Sequence, residues 1–134
     1  MSDIKFNNKW YKSGLELLND VLYGKWKFII IWNLRQKPLR FSNLRKNIPA
    51  ITDRMLSLQL KELEDEGFVE RQISEGIPPK VDYALTGKAM VLIPALEALE
   101  QYGHWLSDQK EPVAVTDSSP LPLSEDQESF FDKL

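Results

Sequence analysis

The chain has 134 residues, 43% apolar and 10% aromatic, which suits one domain with one core, and its 17 Lys and Arg against 20 Asp and Glu leave a net charge of -3. Cysteine is absent, which excludes disulfides, thiolate metal ligands, thiol catalysis and direct thiol redox sensing. The longest apolar run, FIIIW at 28–32, falls short of a membrane span and the opening MSDIKFNNKWYK has no apolar signal core, so a soluble, cytoplasmic protein with no membrane partner is expected.

Ser13 is suited to cap a helix in which Leu15, Leu18 and Leu22 recur at helical spacing, ending near Gly24. A second helix is expected over 25–36. Its FIIIW centre could also be a buried strand, but ten breaker-free residues flanked by Trp26 and Leu34 favour a helix, which Pro38 ends. Ser42 is expected to cap a short helix over 43–47, and Pro49 breaks the chain before Thr52 caps a longer helix over 53–66 with Gly67 as its left-handed stop. Steps of 100° put Leu56, Leu60 and Leu63 on one stripe of that helix and Arg54, Ser57, Leu58 and Lys61 opposite. Val69, Arg71 and Ile73 then alternate with Glu70 and Gln72, EGIPP turns the chain, and Val81, Tyr83 and Leu85 alternate with Asp82 and Ala84, which reads as a hairpin. Thr86 caps a last long helix reaching about 107, kinked at Pro94. Residues 110–134 hold six acids against Lys110 and Lys133, with three prolines and three serines, and are expected to form a disordered acidic tail. Phe130, Phe131 and Leu134 could dock on a partner, or simply belong to a loose terminus.

Charge is unevenly spread. Residues 25–61 carry nine Lys or Arg and one acid, Asp53, a local excess of plus eight that invites a polyanion. The expected fold is therefore mainly α with a small β-hairpin (α+β), in the order of a winged helix-turn-helix with extra terminal dimerisation helices. The expected domains are 1–109, the DNA-binding body, and 110–134, the tail. In that fold the helix over 53–66 enters the major groove and the wing over 69–85 touches flanking backbone. Thr52, Arg54, Ser57 and Lys61 would then face bases, with Arg54 the first choice for a bidentate contact to guanine. Lys37, Arg40, Ser42, Arg45, Lys46 and Lys80 would neutralise phosphates. Leu58 would touch a thymine methyl or pack on a neighbour, and Arg40 would contact DNA or pair with Glu64 or Glu66.

YGKWKFIIIWNL, LRFSNLRKNIPAITDRMLSLQLKELEDEGFVER and GIPPKVDYALT are similar to the HxlR-type transcriptional regulators, and the resemblance spans about 13–106. It rests on Gly-Lys-Trp at 24–26, Arg-Phe at 40–41, MLSLQLKELEDEG at 55–67 and the prolines at 78 and 79. Some members carry a sensing cysteine in the first helix; here that position is Ser13, so thiol sensing is not expected. The family usually places glycine three residues after the threonine that opens the last helix; here Gly87 follows Thr86 directly and the matching position is Ala89. The resemblance also implies a homodimer. Trp10, Tyr11, Leu15 and Leu18 near the start, with Leu92, Leu96, Leu99, Tyr102, Trp105 and Leu106 near the end, exceed what one small core needs, although they could merely complete it.

An enzyme is not expected. His104, the only histidine, lacks a metal-binding partner, no cofactor motif occurs, and EDEG at 64–67 reads as a solvated helix end. Two alternatives to a DNA-binding regulator stay open. One is a winged-helix protein-interaction module. The other is a regulator binding a small apolar or aromatic effector near Trp10, Trp26, Trp32 or Trp105.

Overall fold

The computed structural model describes residues 3–109, so the tail over 110–134 lies outside the described residues. Chain contacts divide it into two compact units, one ending at Met90 and the other beginning at Val91.

The first unit opens with a hairpin that no earlier reading placed. β1 (Ile4–Phe6) pairs antiparallel with β2 (Lys9–Tyr11) across Asn7 and Asn8, whose φ values of 48° and 63° lie in the left-handed region that asparagine tolerates best after glycine. α1 (Gly14–Val21) follows, and its Ser13 N-cap accepts a hydrogen bond from the Glu16 amide at 3.2 Å. The hairpin is tied to α1 where Asp20 accepts from the Tyr11 hydroxyl and pairs with Lys9 at 3.2 Å. The FIIIW run is helical, as α2 (Lys27–Asn33), but shorter at both ends than 25–36, because it begins after Trp26 and closes at Leu34. Ile30 and Ile31 are fully buried within it.

β3 (Leu39–Arg40) leads into α3 (Phe41–Asn47). Ser42 is not its cap: Arg40 occupies that position with no side-chain bond, because pairing of β3 with the wing carries extended backbone up to residue 40. Buried Ile48 and Ile51 pin the turn, and the Ile51 amide donates to the Ile48 carbonyl at 3.1 Å. α4 (Asp53–Asp65) begins as its sequence dictates, with Thr52 Oγ1 accepting from the Met55 amide at 3.1 Å. It ends at Gly67, φ +82°, where the Phe68 amide reaches the Leu63 carbonyl and the Gly67 amide the Glu64 carbonyl, the paired bonds of a Schellman stop. Leu56, Leu60 and Leu63 are 0–1% exposed, as their stripe requires.

β4 (Val69–Ser74) and β5 (Lys80–Leu85) form the wing, and β3 adds to the far edge of β5 to give the order β3-β5-β4. The expected in-out alternation does not hold. Beyond Val69 every β4 residue is exposed, and on β5 the buried residue is Ala84, on the face assigned to polar residues. A hairpin that projects into solvent buries only its base, where its register brings Val69 opposite Leu85. α5 (Gly87–Met90) starts beside Thr86, whose Oγ1 donates to the Gly67 carbonyl at 2.6 Å. Ala89, standing where a glycine was expected, is fully buried.

The second unit is α6 (Ile93–Ser107) with its flanks. The expected single kinked helix is thus two helices separated at residues 91–92. Pro94 sits in the first turn of α6, where its missing amide hydrogen is not needed, and so begins a helix instead of bending one.

Candidate nucleic-acid interface

α4 presents the site. Its leucine stripe fixes which side faces inward, so Thr52, Arg54, Ser57 and Lys61 are all exposed, together with Leu58 at 49%. Arg54 has no ion-pair partner among the described residues, whereas Lys61 Nζ lies 3.3 Å from Asp65 Oδ1 along the helix. Thr52 is half committed, since its hydroxyl oxygen already caps α4.

The surrounding cations differ more than a charge count suggests. Lys37, Lys46 and Lys80 are exposed with no acidic partner among the described residues, and Ser42 is exposed beside them in sequence on α3. Arg45 is partly buried. Its Nε donates to Asp53 Oδ1 at 2.7 Å and its Nη1 to the Pro49 carbonyl at 3.4 Å, so it ties α3 to the start of α4. Arg40 pairs with neither Glu64 nor Glu66. Cross-strand register places it opposite Asp82, with Nε 3.9 Å from Oδ1 and half its side chain still open. Lys27, counted in the basic run, is 1% exposed, with Nζ 2.9 Å from Glu62 Oε2 and 3.9 Å from Glu66 Oε1. It contributes nothing to the outer face. No feature of the local sequence separates a lysine after Trp26 from its solvated neighbours; only the i,i+4 spacing of Glu62 and Glu66 hinted at a partner.

The residues expected to pair two copies divide the same way. Within the first unit Trp10 is 63% and Leu15 78% exposed, with Leu18 half-buried. Within the second, Leu99, Tyr102 and Leu106 are exposed at 60%, 42% and 57%, and Trp105, half-buried, stacks on Tyr102 at 5.6 Å. Leu96 is 5% exposed in the single chain and so has little surface left for a partner. Three of the four tryptophans considered for an effector lie close to a cation: Lys5 over Trp10, Lys25 over Trp26 and Arg35 over Trp32. His104 pairs with Glu100 at 2.9 Å. Among the described residues no cluster of His, Asp or Glu could hold a metal, and no helix is long and apolar enough to cross a membrane.

Comparison with known proteins agrees with this geometry. The HxlR-like helix-turn-helix family profile matches residues 21–111. An uncharacterized HTH-type transcriptional regulator of Methanothermobacter thermautotrophicus is 38% identical over 101 residues, covering 75% of this chain and 77% of that protein. The HTH-type transcriptional regulator YkvN of Bacillus subtilis is 38% identical over 102 residues, 76% of this chain and 86% of its own. Among solved structures, the redox regulator HypR in its reduced form superposes with a TM-score of 0.67 at 40% identity, covering 72% of this chain and 95% of HypR. The reduced form of the transcriptional regulator YodB from B. subtilis gives 0.58 at 34% identity, over 75% and 95%.

Proposed function

The chain belongs to the HxlR-like helix-turn-helix family of transcriptional regulators, and from that premise we propose that it reads specific double-stranded DNA as a homodimer, α4 in the major groove and the β4–β5 wing on flanking backbone. The observation that carries this reading is the division of α4: a leucine stripe at 0–1% exposure holds the helix by one face while Arg54 and Ser57 stand open on the other. Arg54 takes the base-reading role, with Ser57, Lys61 and the free edge of Thr52 beside it. Lys46, Ser42, Lys80 and Arg40 neutralise or bond phosphates, and Arg45, anchored by Asp53, sets the angle between the two motif helices and touches phosphate with what remains free. The body over 1–109 is the working unit.

HypR is titled a redox regulator, and YodB has been solved bound to a quinone. This sequence has no cysteine, and Ser13 stands where the family's first-helix cysteine would be, so its regulation proceeds without thiol chemistry. The protein acts in the cytoplasm, where its DNA partner lies, and a dimer of one short reading helix per copy spans two half-sites.

Genomic fragments retained by the purified full chain test the reading, followed by mobility-shift titration of the retained sequence. With six phosphates engaged per dimer, log affinity falls against log salt with a slope of about -5. A slope near zero, or equal retention by a chain carrying Arg54→Ala and Ser57→Ala, would favour the protein-interaction reading instead.

A further inference from the structure

Lys27 is the one buried charged residue among those described, and DNA contact gives it no use. It opens α2, while its partners Glu62 and Glu66 lie on the last turn and cap of α4, with side chains 34% and 37% exposed. Its Nζ also sits 4.9 Å from the Tyr23 ring centre. Glu66 is held a second time through its carbonyl, which accepts from Lys88 Nζ at 2.8 Å, and its Oε2 is buried with no hydrogen-bond partner among the described residues.

A buried ammonium paired with carboxylates loses hydration that the attraction barely restores, and an apolar residue of like volume commonly serves stability as well or better. What an ion pair adds is direction, because its energy depends on where two particular atoms stand. We propose that Lys27 is a positioning residue for DNA recognition, fixing the tilt of α4 by holding its C-terminal end through Glu62 and Glu66. This rests on the DNA-reading role of α4. The lever is long: Arg54 lies 12 residues before Glu66, about 18 Å along the axis, so a tilt of roughly 10° about the clamped end moves Arg54 by about 3 Å. Hydrogen bonds to base edges tolerate only a few tenths of an ångström.

The test compares the full wild-type chain with Lys27→Met, in which the two carboxylates, a third exposed, turn to water; Lys27→Met/Glu62→Leu serves if the single variant does not fold. The absence of cysteine lets spin labels be placed on Ile29→Cys in α2 and Asp65→Cys in α4. The expected result is a melting temperature at or near wild type, a broadened α2–α4 distance distribution, and affinity for the retained genomic fragments lowered about fivefold or more, the scale of coupling within one ion-pair network. The salt slope stays unchanged, since no phosphate contact is lost. Wild-type affinity with an unchanged distance distribution overturns the proposal. So does a slope reduced by about one, which would make Lys27 a phosphate contact. If wild-type protein retains no DNA, the DNA reading fails by itself, and the distance measurement still decides whether Lys27 sets the tilt of α4.

Discussion

Arg54 and Arg45 carry the same charge eight or nine residues from each other's neighbours, yet their surroundings assign them different work. Arg54 spends none of its donors inside the described chain, so Arg54→Ala is expected to leave melting unchanged, cost about 1–3 kcal/mol of specific binding and relax one base preference, read by mobility shift on base-substituted sites. Arg45 spends two donors on Asp53 and Pro49, so Arg45→Ala should lower melting temperature together with affinity. Lys46→Ala, by contrast, is expected to weaken binding to all sequences alike and make the salt slope about one unit shallower. Thr52 joins both kinds of role. Removing its hydroxyl frees the Met55 amide, and Thr52→Ala should lose about 1 kcal/mol of stability by urea denaturation.

At the scale of elements, α4 is held by its stripe and the N-terminal hairpin by a polar clasp. Leu60→Ala leaves a cavity in the helix-turn-helix core and is expected to cost about 2–5 kcal/mol in the same denaturation experiment. The clasp responds to pH instead. The Tyr11 hydroxyl, and after it Lys9, hold the Asp20 carboxyl below its ordinary 3.8, so the contribution of the clasp is complete above about pH 4 and is lost as pH falls through the lowered value. The same bond holds Tyr11 above its ordinary 10.0, so the contribution persists below about pH 10 and is lost as pH rises through the raised value. Both groups are exposed, and the effect stays local to the hairpin. The Trp10 indole resonance should report both limbs, and Tyr11→Phe should flatten them.

For the whole molecule, the interface between copies is the decisive expectation. Leu99 and Leu106 are open on α6, so Leu99→Asp/Leu106→Asp is expected to give a folded monomer by sedimentation or light scattering and to abolish binding to paired half-sites. Leu96→Ala should behave differently, loosening the fold of each chain, because Leu96 is already buried. A dimer that persists through the α6 double substitution would remove that face from the interface.

The sequence by itself determined which helices form, where α4 starts and stops, and which way α4 faces, because capping hydroxyls, a left-handed glycine and a 100° stripe are local signals that act within a few residues. The Asn7-Asn8 turn was equally local and could have been read from the apolar residues on either side. Only the tertiary structure decided which charges are free. Lys27, Arg40 and Arg45 look alike as letters in a basic run, but Glu62, Asp82 and Asp53 reach them across packed helices and paired strands at separations no periodicity encodes. The exposed wing and buried Leu96 follow for the same reason: alternation tells which residues share a face, and only packing tells whether that face meets protein or water.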